Sequence, residues 1–222
     1  MIDAIPNLLD QLRASGWATL STSCSDSETI VSELDRIGRH LGPKAAGRAG
    51  ALTEIIDPKA SEQANPHSLS ARFGLDALPM HTELSHRTRP CRYVILGCLD
   101  PGSPSAETLM LDWRSLTFSP AELNLLESAP VLARSGRRSF YTTLMPRDRA
   151  FLRYDRGCLE AVGAPGALAL KLVEDRVAAA KPERHDWRAG DVLAIDNWRM
   201  LHGRGRAGTG SGRKLARIYI DG

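Results

Sequence analysis

The second half of the chain consists of short runs of β-branched, aromatic and other apolar residues separated by turn residues. These runs cover residues 93–99, 108–111, 140–143, 151–154, 191–196 and 215–220, with Pro, Gly and Asp between them. Short strands with frequent turn signals are typical of antiparallel sheet. We therefore predict a mainly β fold with flanking helices (α+β), in the form of a double-stranded β-helix jelly roll, whose wide mouth often holds a ligand.

Four segments have the apolar spacing of helices. The first covers residues 5–14. The second begins after a cap at Ser25, Asp26 or Ser27 and ends at Gly42. The third and fourth cover residues 119–128 and 165–180. The third segment opens with Ser119-Pro-Ala-Glu122, which is the pattern of a capping box. We expect the first two helices, with a strand at 17–20 between them, to cover the β core, and the last two to lie against the outside of the sheet.

The predicted organisation is a single domain over residues 1–222. Residues 1–42 form an N-terminal αβα cover, residues 43–78 form a possible lid, and residues 79–222 form the jelly-roll core. Within 43–78 only 51–56 has the pattern of a strand, and a long irregular connection inside a compact domain is more often functional than idle. Residues 144–150 are the second candidate for a lid.

Charge and composition exclude several classes of protein. The chain has 29 Lys and Arg against 26 Asp and Glu, so a net charge of +3 leaves no basic stripe for nucleic acid. No apolar run approaches the roughly 20 residues that span a bilayer, and the N-terminus does not resemble a signal peptide. We expect a cytoplasmic protein with no membrane partner, and the pattern makes no prediction of oligomeric state.

The cysteines do not have the spacing of a metal or disulfide framework. There are four, namely Cys24, Cys91, Cys98 and Cys158, with no Cys-x-x-Cys motif and no secretory context. We expect them to be reduced and to serve packing.

His81 and Glu83 are candidate metal ligands. If the backbone is extended here, the two side chains lie on one face, about 6.5 to 7 Å apart along the strand, and could share a cation. The motif alone is weak, because with six His and 26 acidic residues chance gives roughly 0.7 such pairs. The alternative is a surface histidine near a solvated glutamate.

His202 is the candidate for a third ligand. It follows a turn, a predicted buried strand at 191–196 and a polar bend, and this order places it at the end of a strand. Two histidines and one carboxylate on one side of a metal leave three positions open, which suits Fe(II) binding a co-substrate and oxygen. A structural zinc site would have a closed shell instead.

Two arginines near the C-terminus are spaced to share a face. On an extended strand Arg213, Leu215 and Arg217 point the same way. If that face lines the interior, both arginines need anions, because an unpaired buried charge is costly; a dicarboxylate co-substrate and an acidic substrate would provide them. The alternative is that the arginines face solvent and that Ile218 and Ile220 belong to the inward set.

Together, these residues resemble a known family. His81-Thr82-Glu83, His202 and Arg213 are similar to the iron ligands and the 2-oxoglutarate-binding arginine of the taurine dioxygenase-like Fe(II)/2-oxoglutarate-dependent oxygenases. Glu at the second position, and the run that follows it, most resemble the clavaminate synthase-like branch, which includes hydroxylases of free amino acids. The resemblance covers about residues 75–222 and depends on the order and spacing of five positions.

The resemblance implies an activity and a set of cofactors. His81, Glu83 and His202 would be the catalytic residues that hold Fe(II), while Thr108 and Arg213 would bind the distal carboxylate of 2-oxoglutarate. With O₂ as co-substrate, the implied reaction is hydroxylation of an unactivated C–H bond in a small anionic or zwitterionic molecule, such as an amino acid.

The resemblance also suggests substrate-binding residues. Arg217 would contact an anionic group of the substrate, so the expected partner is a small molecule with a carboxylate. Arg153 and Asp155 resemble a pocket segment of related amino-acid hydroxylases, although a surface ion pair on a turn is the alternative. Two other functions use the same features: a non-redox jelly-roll module that binds a metal or ligand, and a zinc hydrolase with the same three ligands.

The remaining polar residues of interest have structural interpretations. We expect Asn197 and Trp198 to anchor the strand bend before His202, and His86 to have an outer-shell or surface role. The other histidines show no partner pattern and are expected at the surface: His40, His67 and His185.

Overall fold

In a computed structural model of the chain, the short apolar runs form strands that pair into antiparallel sheets, and the turn residues connect them. The structure describes residues 4–23, 25–47, 50–64, 68–136 and 138–222. Cys24 and His67 lie outside these ranges, so the expectations for them are not addressed. Cys91, Cys98 and Cys158 are free thiols, as expected.

The strands and helices of the described residues are as follows. The strands are β1 (Trp17–Ser21), β2 (Lys44–Ala45), β3 (Glu54–Ile56), β4 (Leu78–His81), β5 (Tyr93–Asp100), β6 (Thr108–Asp112), β7 (Val131–Ser135), β8 (Arg138–Thr142), β9 (Leu159–Ala161), β10 (Glu183–His185), β11 (Asp191–Asp196), β12 (Met200–Arg204) and β13 (Lys214–Ile220). The helices are α1 (Ile5–Ser15), α2 (Ser27–Gly38), α3 (Leu69–Phe73), α4 (Pro120–Ser128) and α5 (Gly163–Ala179).

Two larger sheets enclose the centre of the molecule. The first has the strand order β1-β11-β5-β13-β2, with β3 also paired to β13, and the second has the order β10-β6-β12-β4. One apolar cluster draws residues from both sheets, including Leu96 and Leu193 from the first and Met110 and Met200 from the second. This sheet-rich arrangement with flanking helices confirms the predicted fold class.

Helices α1 and α2 cover the outer face of the first sheet. Asp26 caps α2 by accepting the backbone N–H of Thr29 at 2.9 Å, which selects one of the three predicted caps. Ile30 and Leu34 of α2 are fully buried against the sheet. The helix lies so close to β5 that a Cβ at Gly97 would be 2.4 Å from Cγ2 of Ile30, which explains a glycine in the middle of a strand.

Strand β13 is buried on both faces. Leu215 and Tyr219 point between the two sheets, whereas Ala216, Ile218 and Ile220 pack beneath the helices. The face that Leu215 shares with Arg213 and Arg217 is therefore directed to the interior. The other face, with Ile218 and Ile220, is also buried, because helices cover it.

A third sheet, β8-β7-β9, packs with α4 and α5 around a separate apolar cluster. The predicted capping box begins α4: Glu122 N–H donates to Ser119 Oγ at 3.3 Å, and Ser119 N–H donates to the Glu122 carboxylate at 2.7 Å. Leu126 of α4 and Val173 of α5 are fully buried in this cluster.

Some element predictions differ from the structure. Residues 151–154 do not form a strand; Arg153 N–H donates to the Leu144 carbonyl and Thr82 N–H donates to the Tyr154 carbonyl, each at 2.7 Å, so the segment bridges two loops without joining a ladder. Strands β2, β4, β7, β9, β10 and β12 were not predicted, because they are short and several carry charges. Strands β1, β2 and β3 join the first sheet, which thus extends into the segments expected as cover and lid.

Within the described ranges, none of the helices has the length and apolar character needed to cross a membrane.

Candidate metal centre and its pocket

The two candidate histidine ligands face each other across neighbouring strands. His81 on β4 and His202 on β12 are directly paired in the antiparallel register. Side chains at such positions have Cβ atoms about 4.5 to 5.5 Å apart, and the two imidazole ring centroids are 4.5 Å apart. Strand pairing therefore brings together two residues that are far apart in sequence.

Glu83 reaches the same point from a turn. Strand β4 ends at His81, so the expectation that residues 81 and 83 share a face of one strand was wrong. The chain turns sharply instead, with Leu84 at φ 55°, a backbone conformation that leucine rarely adopts. Glu83 Oε2 nevertheless lies 4.0 Å from His81 Nε2 and 3.7 Å from His202 Nε2. Ligand atoms of the three residues all lie within 4.8 Å of one another.

Each imidazole can offer one ring nitrogen to a metal. Nδ1 of His81 lies 3.0 Å from the carbonyl oxygen of Pro79, and a carbonyl can only accept, so Nδ1 carries a hydrogen and Nε2 is the nitrogen that faces the other ligands. Such a hydrogen bond to the second ring nitrogen is common for metal-binding histidine. Burial, together with the nearby His81, lowers the pKa of His202, which favours its neutral form.

The carboxylate of Glu83 is ionised. Burial by itself would raise the pKa of this group, but Arg217, His202 and His81 hold the pKa well below its ordinary value. Arg217 Nη1 donates to Glu83 Oε2 at 3.0 Å. Two imidazoles and one carboxylate whose ligand atoms converge on one point form the donor set of a facial triad, so the residues present fit Fe(II).

The three ligands line one wall of a cavity of about 930 Å³. Other residues with predicted roles line it too: Thr108, Asp155, Arg213 and Arg217. His86, expected in an outer-shell or surface position, also lines the cavity. The predicted site thus converges on one cavity, with the exception of Arg153.

Arg213 is a buried cation in this cavity without an anionic partner. It is only 5% exposed, and within the described ranges no carboxylate lies at ion-pair distance and Nε has no hydrogen-bond partner. Burial and the neighbouring Arg204 lower its pKa to about 10. Thr108, 3% exposed, lines the same cavity. An unpaired guanidinium and a hydroxyl fit the free carboxylate of 2-oxoglutarate.

Arg217 is paired with two carboxylates. Besides Glu83, its guanidinium contacts Glu54 Oε2 at 2.7 Å through Nη2 and at 3.1 Å through Nε. Glu54 lies directly opposite Arg217 in the pairing of β3 with β13. Tyr219 completes the group, because its hydroxyl donates to Glu54 at 3.0 Å. Sequence reasoning missed Glu54, although it lies in a predicted strand, because no local pattern links it to β13.

Arg153 does not reach the cavity. It is 2% exposed, and its guanidinium donates to the backbone carbonyls of Ser85, Arg87 and Thr88, the last two at 2.6 and 2.8 Å. The structure therefore gives it contacts to the turn that follows the metal-binding motif rather than to the space where a substrate would lie.

Asp155, two residues further on, does line the cavity, and it accepts the backbone N–H of Gly157 at 2.6 Å. No ion pair joins Asp155 to Arg153 among the residues that the structure describes. The surface expectation for His185 was wrong: its side chain is 12% exposed and packs edge-on against Trp187, with ring centroids 4.5 Å apart.

Comparisons with known proteins agree with this geometry. Residues 124–219 match the profile of the family described as taurine catabolism dioxygenase TauD, TfdA family. The chain is 26% identical over 221 residues to an L-lysine 3-hydroxylase from Catenulispora acidiphila, an alignment that covers 90% of this chain. The chain spans 59% of the length of that relative.

Solved structures share the fold at low sequence identity. An asparagine oxygenase in complex with Fe(II), 3-hydroxyasparagine and succinate superposes with a TM-score of 0.77 at 18% identity, covering 97% of this chain and 78% of that one. The non-heme iron oxygenase OrfP in complex with Fe, succinate and (3S)-hydroxy-L-Arg superposes with a TM-score of 0.78 at 17% identity, covering 100% of this chain and 82% of that one. Residues 124–219 are therefore similar to the TauD, TfdA family, and the chain shares its fold with these iron oxygenases.

Proposed function

We propose that the protein is an Fe(II)- and 2-oxoglutarate-dependent dioxygenase that hydroxylates an unactivated C–H bond of a small anionic or zwitterionic substrate such as an amino acid. One observation carries this proposal: the ligand atoms of His81, Glu83 and His202 lie within 4.8 Å of one another, in a cavity that also contains Arg213, for which the described residues offer no ion-pair partner. A metal ligand set with open positions beside a buried, unpaired cation is what a chelating dicarboxylate co-substrate requires.

The bound metal and its co-substrates would supply the oxidising power: one oxygen atom of O₂ enters the C–H bond and the other enters succinate, as 2-oxoglutarate loses CO₂. The protein's own residues bind, orient and exclude water. Arg213 and Thr108 hold the distal carboxylate, so that the keto acid meets the metal in one orientation. The ionised Glu83 provides the negative charge that favours a divalent cation.

The charges around Arg217 support a zwitterionic substrate. Arg217 offers a guanidinium to a substrate carboxylate, and Glu54 beside it offers a carboxylate to a substrate ammonium. Asp155 lines the same cavity and is a further acidic contact, suited to a polar or cationic side chain. The relatives support this substrate class, since one is named a lysine hydroxylase and the solved structures contain hydroxylated asparagine and arginine.

Residues 43–78 supply much of the cavity's rim, including residues 54–59 and 68–70. This placement supports a covering role for the segment. The chain would then be one oxygenase domain in which 1–42 covers the first sheet, 43–78 closes the pocket and 79–222 holds the ligands. We retain a cytoplasmic location, without nucleic-acid or membrane partners, as part of the proposal.

The decisive experiment is turnover by the reconstituted enzyme. The purified chain is loaded with Fe(II) without oxygen, then supplied with 2-oxoglutarate, ascorbate, air and a panel of free amino acids. Succinate release and products that have gained one oxygen atom are measured by mass spectrometry. We expect one or a few amino acids to accelerate succinate release and to become hydroxylated in equal amount.

The control is His202→Ala, which should abolish metal binding and turnover but leave the fold nearly intact, because an open catalytic site contributes less to folding than a structural one. If the wild-type chain binds an amino acid and a metal but never consumes 2-oxoglutarate, it is a binding module. Hydrolytic activity with zinc in the absence of oxygen would instead identify a hydrolase.

A further inference from the structure

Trp187 lies behind the cavity wall and contacts both residues assigned to 2-oxoglutarate. Its indole Nε1 donates a hydrogen bond to Thr108 Oγ1 at 3.0 Å, and its ring centre lies 5.9 Å from Cζ of Arg213. The side chain is 4% exposed, and it is not among the described residues that line the cavity. Any effect on a bound ligand therefore has to pass through Thr108 or Arg213.

The hydrogen bond fixes the direction of the Thr108 hydroxyl. An indole nitrogen can only donate, so the Thr108 oxygen is the acceptor and its own hydrogen points elsewhere. In the part of the chain that the structure describes, this hydroxyl has no second hydrogen-bond partner, and Thr108 is one of the residues that line the cavity. The O–H is thus left to donate to an acceptor in the cavity. Without the indole N–H, the hydroxyl could rotate away.

The ring face acts on Arg213. A guanidinium within about 6 Å of an indole ring centre gains a cation–π interaction, which matters here because Arg213 has no carboxylate among the described residues. Trp187 is itself held in place. His185 packs edge-on against it at 4.5 Å, and His185 pairs with Thr108 across strands β10 and β6.

The geometry points to Trp187 as a positioning residue that aims the Thr108 hydroxyl and the Arg213 guanidinium at the distal carboxylate of 2-oxoglutarate. This inference rests on the proposed function and goes beyond it. It assigns the recognition of that carboxylate to three residues, one of which does not touch the ligand. Trp187 should therefore affect the binding of 2-oxoglutarate but not that of a 2-keto acid that lacks the second carboxylate.

The test is a double-mutant cycle on ligand affinity. Trp187→Phe keeps an aromatic ring and loses the N–H, and Thr108→Val keeps the shape of the side chain and loses the hydroxyl. The dissociation constant of 2-oxoglutarate is measured by calorimetry without oxygen, with Mn(II) in place of iron, for the wild type, both single variants and the double variant. We expect Trp187→Phe to weaken binding about tenfold, the loss of one charge-assisted hydrogen bond. The same change should have little further effect in the Thr108→Val background, because phenylalanine keeps an aromatic ring beside Arg213 and only the indole N–H is lost.

Two controls separate positioning from general damage. Trp113→Phe removes another buried indole N–H, which donates to the Trp198 carbonyl at 2.7 Å, and should leave the affinity for 2-oxoglutarate unchanged. Binding of 2-oxopentanoate, which has no distal carboxylate, should be equal in the wild type and Trp187→Phe. If Trp187→Phe does not fold, a benzothienyl analogue at position 187, with sulfur in place of N–H, keeps the ring volume for the same measurement.

The outcomes are distinct. Wild-type affinity in Trp187→Phe, or an equal loss in the Thr108→Val background, overturns the inference and leaves the proposed function intact. If the wild-type chain with Mn(II) does not bind 2-oxoglutarate at all, the proposed function and the inference fail together.

Discussion

Asn197 and Glu83 form a reciprocal pair of hydrogen bonds. The Asn197 side-chain oxygen accepts the backbone N–H of Glu83 at 2.8 Å, and its amide nitrogen donates to the backbone carbonyl of Glu83 at 3.1 Å. The same nitrogen donates to the Cys91 carbonyl at 2.7 Å. One buried amide thereby joins the turn that carries Glu83 to the bend that precedes His202. The expected anchoring of this bend extends to the metal ligand itself.

We predict that Asn197→Ala weakens metal binding, although Asn197 is not itself a candidate metal ligand. Groups that hold a metal ligand typically contribute about 10-fold to 100-fold in affinity, and we expect a loss in this range. The free energy of unfolding of the metal-free chain should fall by about 1 to 3 kcal/mol, because buried backbone groups lose their partner. Mn(II) titration and thermal unfolding measure the two effects. Asn124→Ala on the exposed side of α4 is the matched control, and equal metal affinity in both variants would contradict the prediction.

A second prediction concerns Arg153. Because its guanidinium satisfies three backbone carbonyls just after the metal-binding motif, Arg153→Met should reduce the free energy of unfolding by about 2 to 4 kcal/mol. Arg153→Lys should recover little of this, since one ammonium cannot match the planar fork of arginine. Denaturant unfolding measures the change. An unchanged unfolding midpoint combined with a raised KM for substrate would instead return Arg153 to the substrate site.

The third prediction tests the charge arrangement at Glu54. Glu54→Gln keeps a hydrogen-bond acceptor for Arg217 but removes the negative charge offered to a substrate ammonium. We expect the KM of the amino-acid substrate to rise about tenfold, as for the loss of one charge-assisted contact, with little change in kcat. The hydroxy-acid analogue, which lacks the ammonium, should not be affected. A similar rise in KM for both compounds would show that Glu54 acts only by holding Arg217.

The candidate metal ligands could be predicted from sequence because the order and spacing of their motifs resemble those of a known family. His81 and Glu83 stand two apart, and His202 follows a recognisable strand and bend. Alternation along the strand likewise predicted that Arg213 and Arg217 point inward. The opposite face of β13, with Ala216, Ile218 and Ile220, is also apolar because helices pack on it. The face that Arg213 shares with Arg217 thus followed from a short pattern, whereas the turn that brings Glu83 to the histidines did not.

The residues that sequence reasoning missed depend on contacts between distant segments. Glu54 meets Arg217 across 163 positions, and only the pairing of β3 with β13 makes them neighbours. Arg153 resembled a substrate contact because an arginine in a loop has no local sign of carbonyl partners 65 to 68 residues earlier. The role of Trp187 is of the same kind, since its partner Thr108 lies 79 residues away.

A last prediction concerns the pH dependence of stability through His185. Burial lowers its pKa below the ordinary value of 6.5, although Asp191 at 3.9 Å acts in the opposite direction. The unfolded chain therefore binds a proton at this histidine at a higher pH than the folded chain does. The free energy of unfolding consequently rises with pH between the folded-state pKa and about 6.5, and falls as the pH is lowered through the same range. His185→Gln should flatten the slope of unfolding free energy against pH there, measured by denaturant titration from pH 5 to 7.5. His40→Gln, at an exposed position, should leave the slope as it is in the wild type, and a flattening of equal size in both variants would show that the buried imidazole is not its source.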